Sequence, residues 1–152
     1  MAAAQQSIAF EFLQREHEEI DRLLGQLIAG QSDARAVRRQ LQRTLEQHMV
    51  VEEKVFYPAL ARVEMLNAWV DHLRDQHRLI RASLQALQEV DPDREGFAAA
   101  LRRLCDLVER HVEEEENRAF DYAAQHLGKE LEGLAVEMEH EKEAAQGASG
   151  VG

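Results

Sequence analysis

Four stretches of this chain carry apolar residues that step by three and four, and each such stripe is broken by a single histidine. The first runs Phe10, Leu13, His17, Ile20, Leu24, Leu27, and the third runs Leu66, Val70, Leu73, His77, Ile80, Leu84, Leu87. The second aligns Leu41, Leu45, His48, Glu52, Val55 and Ala59. The fourth aligns Phe97, Leu101, Leu104, Val108, His111, Glu115, Ala119 and Tyr122. This spacing keeps side chains on one face of a helix. Six groups able to bind metal therefore point into one core, where polar side chains are costly unless they find partners.

Composition leaves little room for anything but helix. Among 152 residues there are two prolines and eight glycines, and strong helix formers dominate over β-branched and aromatic residues. The expected fold is all-α, a single antiparallel up-down-up-down four-helix bundle with a short C-terminal helical extension. Its expected limits are residues 1–146, followed by a flexible tail over 147–152. Gly30-Gln31-Ser32-Asp33 ends the first helix and offers Ser32 or Asp33 as the next cap. Asp91-Pro92-Asp93 separates the third and fourth helices, with Asp93 as the expected cap, and a weaker break falls near Arg62 to Asn67. Pro58 should kink or shorten the end of the second helix. Gly128 closes the fourth, and Lys129 to Ala145 reads as a further short helix over the bundle end.

Heights along these helices agree. His17 lies about 20 Å and His48 about 22 Å from the first turn, and Glu52 and His77 are each about a dozen residues from the second connection. His111 matches more loosely, by about one turn. An internal repeat supports the register: 60 positions separate His17 from His77, while 63 separate His48 from His111 and Glu52 from Glu115. Each half is a helical hairpin carrying one His and then His-x-x-x-Glu. Two such hairpins face to face would form a pseudo-two-fold site suited to two metal ions. Nitrogen and oxygen donors without thiolate suit iron, manganese or zinc.

Charge narrows the partners. A formal net charge of -11, from 29 acidic and 18 basic residues, disfavours nucleic acid and anionic membrane surfaces. No apolar run reaches the length of a membrane span. The opening MAAAQQSIAFEFLQRE does not read as a secretory signal. One cysteine, Cys105, fits a reducing cytoplasm and is read as a small packing residue.

The sequence resembles the hemerythrin-like, or HHE cation-binding, family. The residues that carry the resemblance are Arg15-Glu16-His17-Glu18-Glu19-Ile20, Gln47-His48-Met49-Val50-Val51-Glu52-Glu53, Asp75-Gln76-His77-Arg78-Leu79-Ile80 and Arg110-His111-Val112-Glu113-Glu114-Glu115. The resemblance implies a four-helix bundle holding two iron ions in a non-haem, oxo- or hydroxo-bridged centre, with zinc or manganese as substitutes. His17, His48, His77 and His111 would be terminal ligands, and Glu52 and Glu115 bridging carboxylates. Oxygen-carrying members have His-x-x-x-His on the third helix, where this chain has Arg81, and Asp where it has Glu115. About two coordination positions are then left for solvent, substrate or another side chain. That opening favours reaction with dioxygen, peroxide or nitric oxide over simple carriage. Any turnover is expected to be weak, catalase-like peroxide consumption; the alternative is an iron-storing or iron-sensing module. A metal-free interaction bundle is the third reading. A ferritin-like assignment fits less well, since Glu-x-x-His occurs once, at Glu137 and His140.

Around the centre, Asp21 is a candidate to orient His17, and an exposed ion pair with Arg22 or Arg15 is its alternative. Tyr122 is read as core packing rather than a ligand. Arg81 is read as turned towards an acidic neighbour. Glu53, Glu113, Glu114 and Glu116 are read mostly as a solvated face, and His72, His126 and His140 are excluded from the site.

Overall fold

The computed structural model describes residues 7–30 and 33–150, and no strand occurs among them. Ser7 starts helix α1 (Ile8–Ala29) by accepting a hydrogen bond from the Ala9 N–H at 3.2 Å. Gly30 ends it in the left-handed conformation, φ 66°, returning its N–H to Gln26 O at 3.1 Å. Asp33 caps α2 (Ala34–Val51), accepting from the Arg35 and Ala36 N–H groups; the other expected cap, Ser32, lies outside the described residues. A wide turn over Glu52–Phe56 joins α2 to α3 (Tyr57–Ala61) without breaking the rod. Pro58, which has no N–H to give, sits in the first turn of α3, where that loss is tolerated. The expected kink is thus a widened turn immediately upstream.

A single 3-10 turn, Glu64–Leu66, leads into α4 (Asn67–Glu89), within the segment expected to break. Arg38 reaches across from α2 to donate to the Leu87 and Val90 carbonyls, satisfying acceptors that the end of α4 leaves free. The next turn differs from expectation. Asp91, not Asp93, supplies the carboxylate, accepting from the Asp93 N–H at 2.9 Å. Helix α5 (Gly96–Glu114) begins two residues later than an Asp93 cap would place it. A short carboxylate favours the turn residue two positions ahead over the helix start. A second wide turn, Glu115–Ala119, joins α5 to α6 (Phe120–Leu127). Gly128 opens a one-turn link to α7 (Leu131–Gly150). This last helix is longer than expected and includes residues 147–150, assigned from the sequence to a flexible tail; residues 151 and 152 lie outside the described residues.

The architecture is a four-helix bundle. Hairpins α1/α2 and α4/α5 pack against one another, with α1 also beside α5 and α2 beside α4, while α7 lies against α1 and α2. Buried apolar side chains fall into two clusters. One gathers Phe10, Leu13, Phe56, Leu60, Val70, Leu73 and Phe120 with Leu131, Leu134 and Met138 of α7. The other gathers Ile20, Leu24, Leu41, Leu45, Ile80, Leu84, Leu101 and Leu104. Every stripe residue expected in the core is buried except Tyr122, which is half-buried. Between the two clusters lies a polar layer. The histidines interrupt their stripes where one apolar cluster gives way to the other. No described helix is long and apolar enough to cross a membrane.

Candidate metal centre

His17, His48, His77 and His111 meet in that layer with Glu52 and Glu115, none more than 5% exposed. Their ligand-capable atoms fall into two groups that share a glutamate. His17, His48, Glu52 and Glu115 form one, and Glu52, His77 and His111 form the other, with all such atoms in a group within 4.8 Å of one another. The imidazole and carboxylate of each His-x-x-x-Glu pair lie one turn apart, His48 Nε2 to Glu52 Oε1 at 3.1 Å and His111 Nε2 to Glu115 Oε2 at 3.3 Å. Across the bundle, His17 Nε2 approaches Glu115 Oε1 at 3.0 Å, and His77 Nε2 approaches Glu52 Oε1 at 3.1 Å. All six residues selected from the stripes are brought together.

The far ring nitrogen of every histidine is held. Nδ1 of His17 meets Glu116 Oε2 at 2.7 Å, that of His48 meets Glu16 Oε1 at 2.7 Å, and that of His77 meets Glu53 Oε2 at 2.6 Å. Nδ1 of His111 donates to Gln76 Oε1 at 2.6 Å. The Gln76 amide cannot be reversed, because its NH2 group donates to Glu114 Oε2. These contacts obey the internal repeat: the residue before each first histidine (Glu16, Gln76) holds the second, and the residue after each core glutamate (Glu53, Glu116) holds the first. Nδ1 anchoring of this kind aims Nε2 at the centre and fixes the ring.

Of the four glutamates expected mostly on the solvated face, Glu113 is exposed, whereas Glu53 and Glu116 reach inward to His77 and His17, and Glu114 holds the Gln76 amide. The signal was present in the repeat, which pairs Glu52-Glu53 with Glu115-Glu116. Among the described residues Asp21 forms no hydrogen bond with His17; Glu116, from the facing helix, takes that role. Arg81 does turn to acidic neighbours, meeting Glu53 at 2.7 Å and Glu46 at 2.9 Å. His72 is exposed and bonded to Glu114 at 2.7 Å, and His126 and His140 are exposed and away from the centre. Tyr122 packs edge-on against Trp69, ring centroids 6.1 Å apart.

Tyr57 is the residue that the stripes missed. Its hydroxyl donates to Glu115 Oε2 at 2.7 Å and lies 3.2 Å from Glu52 Oε1, 3.1 Å from His77 Nε2 and 3.2 Å from His111 Nε2. Five positions separate it from Glu52, which in a regular α-helix is about 140° around the axis. In the wide turn Tyr57 N–H instead bonds Glu52 O, an i→i+5 closure that returns it to the inner face. The repeat places Phe120 at the matching position after Glu115, its N–H likewise bonded to Glu115 O. Phe120 stacks on Phe10 at 4.5 Å and brings no oxygen. The two halves are therefore chemically unequal.

Electrostatics at the centre are strained towards a cation. Four buried atoms aimed into it make no aligned hydrogen bond, although His17 Nε2 and Glu115 Oε1 stand 3.0 Å apart: His17 Nε2, His48 Nε2, Glu52 Oε2 and Glu115 Oε1. His77 Nε2 and His111 Nε2 stand 3.1 Å apart, and one proton at most can lie between them. Burial would lower the imidazole pKa values, but the surrounding carboxylates outweigh it. His111 rises to about 9 through Glu115 and Glu52, and His48 rises well above its usual value through Glu52 and Glu16. Glu52 goes the other way: burial favours its neutral form, yet His48, Glu115 and His111 hold it well below the ordinary carboxylate range. Burial, then Glu115 and Glu52, pushes the Tyr57 hydroxyl well up. Uncompensated buried donors and acceptors at this density are what a bound metal resolves. The cluster is able to hold one.

Residues 9–123 match the hemerythrin HHE cation binding domain family. The chain belongs to that family. An uncharacterised hemerythrin-like protein of Schizosaccharomyces pombe is 28% identical over 88 residues, which cover 57% of this chain and 43% of the relative. The matched region thus spans less than half the length of that yeast protein. The crystal structure of a hemerythrin HHE cation binding domain-containing protein from Mycobacterium kansasii superposes with a TM-score of 0.77 at 23% identity, over 91% of this chain and 86% of that one. That likeness supports the four-helix fold. Helix α7 lies beyond the residues matched to the family.

Proposed function

We propose that this protein is a non-haem di-iron protein that reacts with dioxygen, peroxide or nitric oxide. The observation that carries the reading is the set of four buried ligand atoms without aligned hydrogen bonds on His17, His48, Glu52 and Glu115. A second group, His77 and His111 with Glu52, stands beside them. When bound, two irons would supply one-electron redox chemistry towards a small oxidant. The chain's own residues do the rest. Glu16, Glu53, Gln76 and Glu116 keep each Nδ1 engaged, so that the four Nε2 atoms face inward. The two apolar clusters exclude bulk water above and below the polar layer. The Tyr57 hydroxyl holds a proton on Glu115 Oε2, at the side of the centre formed by His77 and His111.

The decisive experiment is metal content and visible absorption of protein produced with ample iron, recorded before and after peroxide. About two irons per chain, with bands that change on peroxide addition, are expected. His48→Ala and Glu115→Ala should cut the bound metal, and His72→Ala should not. Iron that stays inert to peroxide would replace this reading with storage or sensing without turnover. No stoichiometric metal under any loading condition would refute it.

A further inference from the structure

The internal repeat makes the two edges of the centre comparable, and they differ in charge. At one edge Arg81, one turn beyond His77, closes over Glu53 with contacts of 2.7 and 3.1 Å and also binds Glu46 at 3.0 Å. The matching residue one turn beyond His17 is Asp21, and the counterpart of Glu53 there is Glu116. Two carboxylates cannot make the clasp that arginine makes. At that edge a cavity of about 870 Å³ opens between α1 and α5, with His17 and Glu116 in its wall.

The cavity suits a cation. Exposed carboxylates of Glu18, Asp21, Asp106, Glu109 and Glu113 line it, and none forms an ion pair among the described residues. Arg110 is the single basic residue in the lining besides His17. In the same wall burial, then Asp106, Glu109 and Asp21, push the pKa of the Cys105 thiol up. The wall also holds a reason for a cation to move inward. His17 is 5% exposed, touches Glu116 through Nδ1, and turns towards the donor cluster an Nε2 that makes no aligned hydrogen bond.

We propose that this groove is the route by which a divalent cation reaches the centre. The rim carboxylates draw the ion from solvent, and Glu116 with His17 marks where it leaves the groove for the buried donors. Low-dielectric walls lined by one sign of charge raise the local concentration of the opposite ion. At the other edge the Arg81 guanidinium occupies Glu53 and Glu46 and offsets their charge. The inference rests on the metal-binding reading above.

The test is the rate at which metal-stripped protein takes up divalent cobalt alone, followed by the visible absorption of the bound ion. Asp21 is exposed, so Asp21→Arg rebuilds the Arg81 clasp on the open edge without disturbing the core. It should load about tenfold more slowly than wild type and reach the same final stoichiometry. Asp21→Asn, which removes charge without adding a clasp, should slow loading less. Asp71→Arg changes net charge equally on exposed α4 surface and should load at the wild-type rate. Added salt should slow wild type more than Asp21→Arg. Equal rates for wild type and both Asp21 variants, or equal slowing by Asp71→Arg, would overturn the route while leaving the metal centre intact. Failure of wild type to take up any cobalt would overturn both.

Discussion

The 2.6 Å hydrogen bond from His111 Nδ1 to Gln76 Oε1 decides which ring nitrogen faces the centre. Gln76 is itself held by Glu114, and Glu114 by His72, so a chain of bonds runs from the surface to a buried imidazole. Gln76→Leu would leave a buried Nδ1 proton without an acceptor and free the ring to turn. Loss of such a partner typically costs about 10–100-fold in metal affinity. Chelator competition on Gln76→Leu should show a fall of that size. An unchanged affinity would mean that packing alone orients His111.

Tyr57 makes the two donor groups unequal, and the inequality can be measured. Tyr57→Phe keeps the ring packed while removing the hydroxyl that sits among Glu52, Glu115, His77 and His111. Binding of two equivalents should then split. The equivalent held by His17, His48, Glu52 and Glu115 should stay close to wild type, and the other should weaken. A titration against a metal-binding competitor reads both steps; equal weakening of both would place Tyr57 in a general packing role instead.

The six ligand-capable residues were legible because helical periodicity and burial are local properties of sequence, and the chain breaks each stripe once or twice with an imidazole or carboxylate. Tyr57 was not legible, because its position depends on an i→i+5 turn that shifts the phase after Glu52. A period of 3.6 residues assigns it to another face. Glu53 and Glu116 were misread for a related reason: each lies off its own helix's inner stripe and reaches a histidine on another helix, a contact that single-helix patterns do not contain. The start of α5 depended on whether Asp91 or Asp93 used its carboxylate, and nearly equal local preferences left the choice to tertiary context. The repeat of 60 and 63 positions held more information than the stripes did. It pairs Glu16 with Gln76, Glu53 with Glu116 and Arg81 with Asp21, and these pairings account for both the anchoring of the rings and the opening beside His17.

Gly25 within α1 and Gly30 at its end should respond oppositely to the same substitution. Gly30 has φ 66°, a conformation that costs a residue with a Cβ about 1–2 kcal/mol. Gly25 lies within the helix with nothing within 4 Å of a built Cβ, where alanine is favoured by about 0.8–1.0 kcal/mol. Thermal or urea unfolding of metal-free protein should therefore show Gly30→Ala less stable and Gly25→Ala more stable than wild type. A loss of stability in Gly25→Ala would show that the groove wall cannot accept a methyl group there.

Stability and metal affinity should depend on pH in opposite senses. In the metal-free fold His17, His48 and His111 all have raised pKa values, His111 to about 9, because glutamates outweigh the effect of burial. Folding thus favours their protonated forms relative to the unfolded chain. For His111 that contribution is complete below about pH 6.5 and is lost as pH rises through about 9, and His17 and His48 act in the same direction. Glu53 shows the opposite linkage: burial opposes its charge, but His77 and Arg81 lower its pKa to about 2, so its contribution is present above about 4.5 and lost as pH falls towards 2. Metal-stripped protein should accordingly be more stable to urea at pH 6 than at pH 9. Metal needs the Nε2 lone pairs that those protons occupy, so binding should release protons and tighten over the same interval. Urea midpoints for stripped and loaded protein at the two pH values, with proton release followed in weakly buffered solution, check both halves. Stripped protein that gains stability towards pH 9 would show that the imidazoles are neutral in the metal-free fold.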